Sequence, residues 1–370
     1  MRPTVKALLS CTLASSLGCG LPGVESVFPE PSAAPVTLWK ATMGAMDTPE
    51  QGSDASPAAA GGRLYAAQRN ALFALDMATG TRVWRSAPAT FLGVRNLLVR
   101  DGRVYAAGTD AMAFDGITGA TLWTNHLVDT WSSTNAVDDV GFYVATRAVV
   151  YAFAVATGAT RWSYDVSADW PLGGRLHAVI TSGDTVYALG RKFLTSNGGS
   201  QAASLFAFRR SDGALLWKWE LPGPSSFVTP PVVRGRMLIG ADLDGSSIVA
   251  LDRFTKELSW RTNLGAGFDA AVEASGSMLY AGSLNGYVYA LDPTSGHQVW
   301  QSDKRVGSIF DVRACGSSLL ANDGNARILD PSTGRLLNDY GVGVNLSAFL
   351  VADNRAYVQA VSAVYALVCR

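Results

Sequence analysis

Arg63-Leu64-Tyr65-Ala66-Ala67, then Ala74-Leu75-Asp76-Met77-Ala78-Thr79-Gly80-Thr81-Arg82-Val83-Trp84, is the stretch whose recurrence organises the chain. Tryptophan closes the same unit at Trp84, Trp123, Trp162, Trp217, Trp260 and Trp300, at intervals of 39, 39, 55, 43 and 40 residues. A seventh copy ends at Asn338 in place of Trp. An eighth opens at Asn354-Arg355-Ala356-Tyr357-Val358, and the sequence stops at Arg370 before any closing Trp. The missing piece stands at the other end, where Thr37-Leu38-Trp39-Lys40 matches the last strand of a unit.

Inside each copy, short apolar runs alternate with turn residues, as at 232–233, 236–241, 247–252 and 257–261. That spacing predicts four antiparallel strands per copy. Asp244-Gly245, Asn285-Gly286 and Asp323-Gly324 fall between the second and third strands, where a two-residue hairpin needs positive φ. Sheets of four strands at a period near 40 residues bury their faces only by stacking on one another, and radial stacking does so. The expectation is an all-β, eight-bladed β-propeller over residues 36–370, closed by pairing the N- and C-terminal strands, which removes an exposed edge.

The motif residues have mechanical readings. In Asp76…Gly80, Asp115…Gly119, Asp292…Gly296 and Asp330…Gly334, the carboxylate accepts turn N–H groups and the glycine supplies a left-handed position. Ala154 and Arg209 replace that aspartate in copies three and four, and Lys256 replaces the glycine in copy five. Trp39, Trp84, Trp123, Trp162, Trp217, Trp260 and Trp300 read as wedges between blades.

Composition narrows the function. The chain carries 30 basic and 30 acidic side chains and 48% hydrophobic residues, so it is neither a disordered polymer nor a polycation made for nucleic acid. Its three histidines (His126, His177, His297) are scattered and no Cys-x-x-Cys occurs, which leaves little for a zinc site. Asp242-Leu243-Asp244-Gly245 superficially suggests a cation loop, but a hairpin explains it and Ca²⁺ asks for six or more oxygens. No metal site is expected.

Residues 1–18 read as an export signal: Arg2 and Lys6 precede an apolar stretch, 7–17, too short to span a bilayer permanently. Ser16-Leu17-Gly18-Cys19 resembles a bacterial lipobox, with Ser16 where such signals usually carry Leu, so Cys19 is the expected lipidation site. Residues 19–35 form a Pro/Ser/Ala/Gly tether. The expected location is the cell envelope, as an outer-membrane lipoprotein facing the periplasm or the cell surface. Cys315 and Cys369 are left either as a disulfide or as two buried thiols.

The pattern Ala-x-Asp-x-x-Thr-Gly-x-x-x-Trp resembles the repeat of pyrroloquinoline-quinone-type propellers, over residues 36–370. With the lipobox, the size and the eight copies, the sequence is most similar to the outer-membrane assembly lipoproteins, the BamB-like subgroup. The resemblance implies a non-enzymatic protein-binding scaffold, a monomer within a complex, whose family binds the periplasmic part of the barrel-inserting protein. Two departures bear on that partner: Ser226 and Val228 stand where family acids would be, and Leu221-Pro222-Gly223 lacks an arginine. The related quinone dehydrogenases use the quinone, Ca²⁺ and adjacent cysteines, and no two cysteines are adjacent here, so neither cofactor is expected.

A partner-binding surface is expected at the face that gathers the connections between blades and the turns between second and third strands. Copy four carries an insertion there, 190–203, read as a polar, Gly-rich loop presenting Arg191, Lys192 and Phe193. Trp131 and Trp170 each follow their own wedge by eight residues, as Phe268 follows Trp260, with Leu92 and Leu346 at the like position elsewhere. Two readings stand: these side chains seal the blade joints, or Trp131 and Trp170, beside Asp129, Asp169 and Arg175, form an aromatic patch for a protein. The alternatives are a quinone-dependent or other enzyme at the funnel, with Asn96, Asn135, His177, Asp269, Asp311 and Asn345 as its polar candidates, and a small-ligand or carbohydrate sensor using Trp131 and Trp170.

Overall fold

A computed structural model describes residues 37–42, 55–68, 70–87, 89, 93–130, 133–221, 225, 229–242, 246–265, 267–268, 272–303, 305–340, 346–360 and 363–369. Among them, strands assemble into eight four-stranded antiparallel sheets, an eight-bladed β-propeller. The only helical element among the described residues is a 3₁₀ turn at Ser167–Asp169, and no helix is long and apolar enough to cross a membrane.

Blade 1 shows the pattern. Its strands, from the channel outward, are Ala58–Ala60, Arg63–Gln68, Ala71–Asp76 and Arg82–Arg85. The middle two are buried almost throughout, whereas the outer strand is largely exposed. Apolar residues on both faces of the middle strands make the core, and each core cluster is shared by two consecutive blades. Tyr65, Leu72 and Ala74 of blade 1 pack with Val104, Met112 and Phe114 of blade 2. The ring closes in the same way: Trp39, Tyr357 and Val364 of blade 8 pack with Leu64, Phe73 and Met77 of blade 1.

Blade 8 is split between the two ends of the described chain. Thr37–Thr42 forms its outer strand and pairs antiparallel with Ala363–Val368, matching Trp39 to Ala366 and Thr42 to Ala363. Arg355 donates to the Met77 carbonyl (2.8 Å) and Gln359 to that of Ala67 (3.2 Å), tying blade 8 to blade 1. No sheet of the ring depends on a missing strand.

The repeat motif becomes a joint between blades. The indole N–H of Trp39, Trp84, Trp123, Trp162, Trp260 and Trp300 donates to a backbone carbonyl in the next blade: Met77, Gly116, Val155, Arg210, Pro293 and Pro331 respectively, at 3.0–3.2 Å. Each acceptor follows the Asp position of its turn. The turn glycine then faces the same indole. A Cβ on Gly296 would lie 2.4 Å from Trp260, and one on Gly80 would lie 2.6 Å from Trp39, at φ of +72° and +73°. The glycine therefore answers two demands at once, a left-handed backbone and a flat floor for the preceding blade's tryptophan. A β-bulge beside the tryptophan turns it inward, opposite a small residue: Ala74 pairs Trp84, Ala113 pairs Trp123 and Ala290 pairs Trp300. In blade 7 the sizes are exchanged, with Ile328 opposite Asn338.

The turn chemistry follows. Asp76 Oδ1 accepts the N–H groups of Ala78 (3.0 Å) and Thr79 (2.8 Å) and the Thr79 hydroxyl, which holds its carboxyl below the usual range. The turns at Ala154 and Arg209 keep the same backbone closure without the carboxylate.

The two-residue hairpins expected at Asn285-Gly286 and Asp323-Gly324 are longer. Gly282 pairs Val288 and Asn322 pairs Ala326, so the turns span 283–287 and 323–325, with positive φ at Gly286 and Gly324 but not at Asn285 or Asp323. Side chains support the extra length: Asn285 Oδ1 accepts the Tyr287 N–H, and Asp323 accepts from Gly307 and pairs with Arg327. Residues 243–245 lie outside the described residues. Their neighbour Asp242 is buried and paired with Arg261 at 3.0 Å, which accounts for its charge.

Candidate interaction face at blade 4

Blade 4 is the largest, with strands Gly174–Ser182, Thr185–Phe193, Gln201–Arg209 and Leu215–Glu220. The insertion read as a loop over 190–203 is mostly strand. Residues 185 to 193 pair continuously with 209 to 201, and only 194–200 form the turn. Two nine-residue strands, against six in blade 1, raise the hairpin by about 10 Å at 3.4 Å per residue. Backbone pairing explains the correction: Gly190–Phe193 and Gln201–Ala203 continue the ladder, and Gly173 accepts the Phe193 N–H at 2.9 Å.

The hairpin base is a close fit of backbones. A Cβ on Gly190 would lie 2.2 Å from the Arg175 carbonyl, and one on Gly174 would meet the Trp170 ring at 2.5 Å and the Arg191 carbonyl at 2.6 Å. Arg175 pairs Arg191 directly across the two strands, with the Arg175 guanidinium 6.0 Å from the Phe193 ring centre. Lys192 pairs with Glu220 at 2.6 Å. Leu172 and Leu194, 46% and 42% exposed, are the chain neighbours of Gly173 and Phe193, whose backbones are joined by that hydrogen bond.

Of the residues expected at this face, Arg175, Arg191, Lys192 and Phe193 come together. Trp170 does not join them. It is 3% exposed, in edge contact with Phe206 (5.7 Å between centres), inside the core shared by blades 3 and 4. As part of a surface patch it is therefore corrected: it seals a blade joint, as Phe268 does between blades 5 and 6. Trp131, Leu92, Asp269 and Asn345 lie outside the described residues, as do 222–224 and 226–228, and the side chain of Leu346 is likewise outside them. Cys19 and the segments 1–18 and 19–35 are outside them too.

The channel rim beside this face is polar. Asn96 donates to the Asn135 carbonyl (3.1 Å) and accepts its N–H (3.0 Å), a structural link between blades 2 and 3. His177 sits in a β-bulge between the pairs Leu176–Gly190 and Ala178–Leu189. Its carbonyl accepts the Thr134 N–H, and its Nε2 is buried without a hydrogen-bond partner. Burial first, then Arg191, Arg175 and Arg95, push its pKa down to about 3, so the ring is neutral.

Across the channel, Asp311 and Glu273, on neighbouring inner strands, both pair with Arg313 at 3.3 Å. Burial pushes Asp311 up to about 6 against the pull of Arg313. A quinone–Ca²⁺ pair does not fit this wall: both acids are already bonded to a guanidinium, and Cys315, bonded to Cys369 with Cα atoms 5.0 Å apart, has no adjacent cysteine. Among the described residues no group of three or more His, Cys, Asp or Glu is placed to hold a metal ion.

Sequence reasoning missed Trp219. It stands two residues after Trp217 on the outer strand of blade 4 and lines a small apolar cavity with Leu189, Leu205, Leu238 and Val249 at the joint with blade 5. That joint is irregular: Trp217 makes no indole bond to blade 5 among the described residues, and Lys256 takes the glycine position at φ +65°. The Lys256 substitution was the visible signal.

A family profile described as outer membrane protein assembly factor BamB matches residues 35–193, 146–282 and 201–367. The chain belongs to the BamB family. BamB of Yersinia pestis is 26% identical over 329 residues, covering 84% of this chain and 70% of that protein. BamB of Shewanella oneidensis is 24% identical over 376 residues, covering 93% and 89%. Among solved structures, the crystal structure of BamB from Moraxella catarrhalis superposes with a TM-score of 0.72 at 18% identity, covering 90% of this chain and 98% of that one, which shows the shared fold.

Proposed function

We propose that this BamB-family chain is a non-enzymatic docking platform in the cell envelope, serving the assembly of outer-membrane proteins, with blade 4 as its contact point. The observation that carries the reading is the long hairpin 185–209. It is the one blade element that stands above its neighbours among the described residues, and it carries Arg191, Phe193 and Leu194, with Arg175 on the strand beside it. A closed ring holds these groups in fixed relation, which lowers the ordering cost of binding a partner. The family acids at 226 and 228 are absent, so the contact here is carried by different chemistry from the one the family pattern implies. Removal of residues 1–18 and acylation of Cys19 would tether the propeller to the membrane through residues 20–35.

A photocrosslinker in place of Leu194, used in intact envelopes, tests the docking reading. An adduct with a component of the outer-membrane assembly machinery, lost in L172E, supports it. The absence of any adduct at 194 while a probe on the opposite face, at Ile117, captures that component would refute it. The anchor is tested separately by the mass of the N-terminal peptide, where an unmodified Cys19 in the mature chain refutes acylation.

A further inference from the structure

In blades 1 to 7 a turn joins the third strand to the outer one, and the residue two places after its Asp position is exposed in every blade. Five of these turns fill the position with a small residue, Ala78, Ala156, Ser211, Thr294 or Ser332. Blades 2 and 5 carry Ile117 and Phe254 instead, 66% and 63% exposed. Each donates its backbone N–H to the turn aspartate, Asp115 or Asp252, at 2.9 Å, and its side chain stands in solvent. A lone apolar side chain on a surface is ordinary. Two large ones at one equivalent position, where packing asks for neither, are a departure that the fold does not explain.

The phenylalanine turn departs further. The guanidiniums of Arg236 and Arg253 lie 5.7 and 5.0 Å from the Phe254 ring centre. Both are held within the fold, Arg236 by Asp252 and Arg253 by the Ser182 hydroxyl. Lys256 is exposed and makes no ion pair among the described residues. It stands at φ +65° where the other six turns carry glycine, a conformation unfavourable to a side chain.

Both turns lie on the face at which the chain enters the ring. The outer strand of blade 8, Thr37–Thr42, begins beside the end of Ala363–Val368, with Thr37 opposite Leu367. That is the end at which the outer strands of the other blades leave their turns. Residues 20–36 separate this entry from Cys19, no more than about 60 Å of chain even fully extended. The turn of the blade 4 hairpin, 194–200, is on the opposite face. The entry in blade 8, Ile117 in blade 2 and Phe254 in blade 5 divide the ring into arcs of two, three and three blades, and three such points fix a plane.

We infer that this turn face rests on a lipid surface, with Ile117 and Phe254 in the headgroup region and Lys256 against lipid phosphates. The inference rests on the reading that Cys19 is acylated, which supplies the membrane. At the interface an exposed apolar side chain gains the burial that water denies it, and a cation beside it meets anionic headgroups. The same orientation turns the blade 4 hairpin away from the bilayer, where a protein partner reaches it.

The test couples Cys19 of the purified mature chain to a maleimide lipid in vesicles of phosphatidylethanolamine and phosphatidylglycerol, so a tether is present whatever the natural modification. A lipid with a photoreactive group in the headgroup region then reports contact. Adducts are expected at Ile117 and Phe254 and not at Val128, which is 64% exposed but follows the outer strand of blade 2 on the other face. Adducts at Val128 as frequent as at the two turns, or none at the turns, overturn the inference. Before coupling, I117S/F254S should partition into these vesicles about tenfold or more weakly than the wild type, with an unchanged melt. K256G should lose about fivefold on these vesicles and nothing on phosphatidylcholine alone, while melting higher, so weaker binding is not loss of fold. Unchanged partition of both variants overturns the inference. Failed adducts on coupled vesicles defeat the contact and leave the anchor standing, whereas an unmodified Cys19 in the native chain defeats the anchor and this inference with it.

Discussion

Cys369 occupies in blade 8 the chain position at which Met77 in blade 1 offers its carbonyl to Trp39, and its sulfur is bonded to Cys315 of blade 7. The register fixes the equivalence: Arg63 pairs Asp76 and Arg355 pairs Val368, and the next N–H, of Met77 or Cys369, bonds back to Gly62 or Asn354. The joint between blades 7 and 8 has Asn338 in place of a wedge tryptophan. A covalent link stands where six other joints use an indole and a carbonyl.

That substitution predicts an unequal cost. The disulfide closes a loop with a sequence separation of 54 residues, for which chain entropy gives about 4 kcal/mol. The variant C315S/C369S should lower the denaturant midpoint markedly. Reducing agent should do the same to the wild type and nothing further to the variant. A midpoint insensitive to both would show that the strand pairing of residues 37–42 holds the ring alone.

The glycine floor and its exception predict opposite signs. G296A puts a Cβ 2.4 Å from the Trp260 ring at φ +72° and should destabilise by more than the roughly 1–2 kcal/mol of a left-handed residue alone. K256G removes a side chain from φ +65° and should stabilise by about 1 kcal/mol. Thermal melts of the two variants decide it, and a destabilised K256G would mean the lysine makes a compensating contact.

Trp260→Ala and Trp170→Ala should each cost about 3–5 kcal/mol, the first by emptying a blade joint, the second by opening the core shared by blades 3 and 4. L194A, with its side chain largely in solvent, should leave the melt almost unchanged. A near-neutral W170A would return that residue to the surface.

Two channel residues give pH dependences of opposite sign. His177, held at about 3 by burial and by Arg191, Arg175 and Arg95, contributes stability that is complete above its ordinary pKa near 6.5 and is lost as pH falls toward 3. Asp311, raised to about 6 by burial with Glu273 and Arg313 at its side, contributes stability present below its ordinary value near 3.8 and lost as pH rises through 6. Between pH 7 and 4.5, H177Q should therefore lose less urea resistance than the wild type, and D311N should lose more. Identical pH profiles for all three proteins would contradict both assignments.

The repeat told the blade count, the four strands per blade and the splitting of the eighth, because each rests on local spacing of apolar residues, glycines and tryptophans along the chain. The exchange of Ala and Trp for Ile328 and Asn338 was equally open to reading, as paired changes of size in one copy. What the chain alone left undecided depends on distance between copies. Whether Cys315 and Cys369 meet, whether Trp170 faces water or a neighbouring blade, and whether 190–203 is loop or ladder all turn on how one blade lies against the next. Local sequence sets the strands. The packing of one curved sheet on another, which no single repeat encodes, decides which of their side chains are buried and brings Arg175 and Arg191 together at the rim.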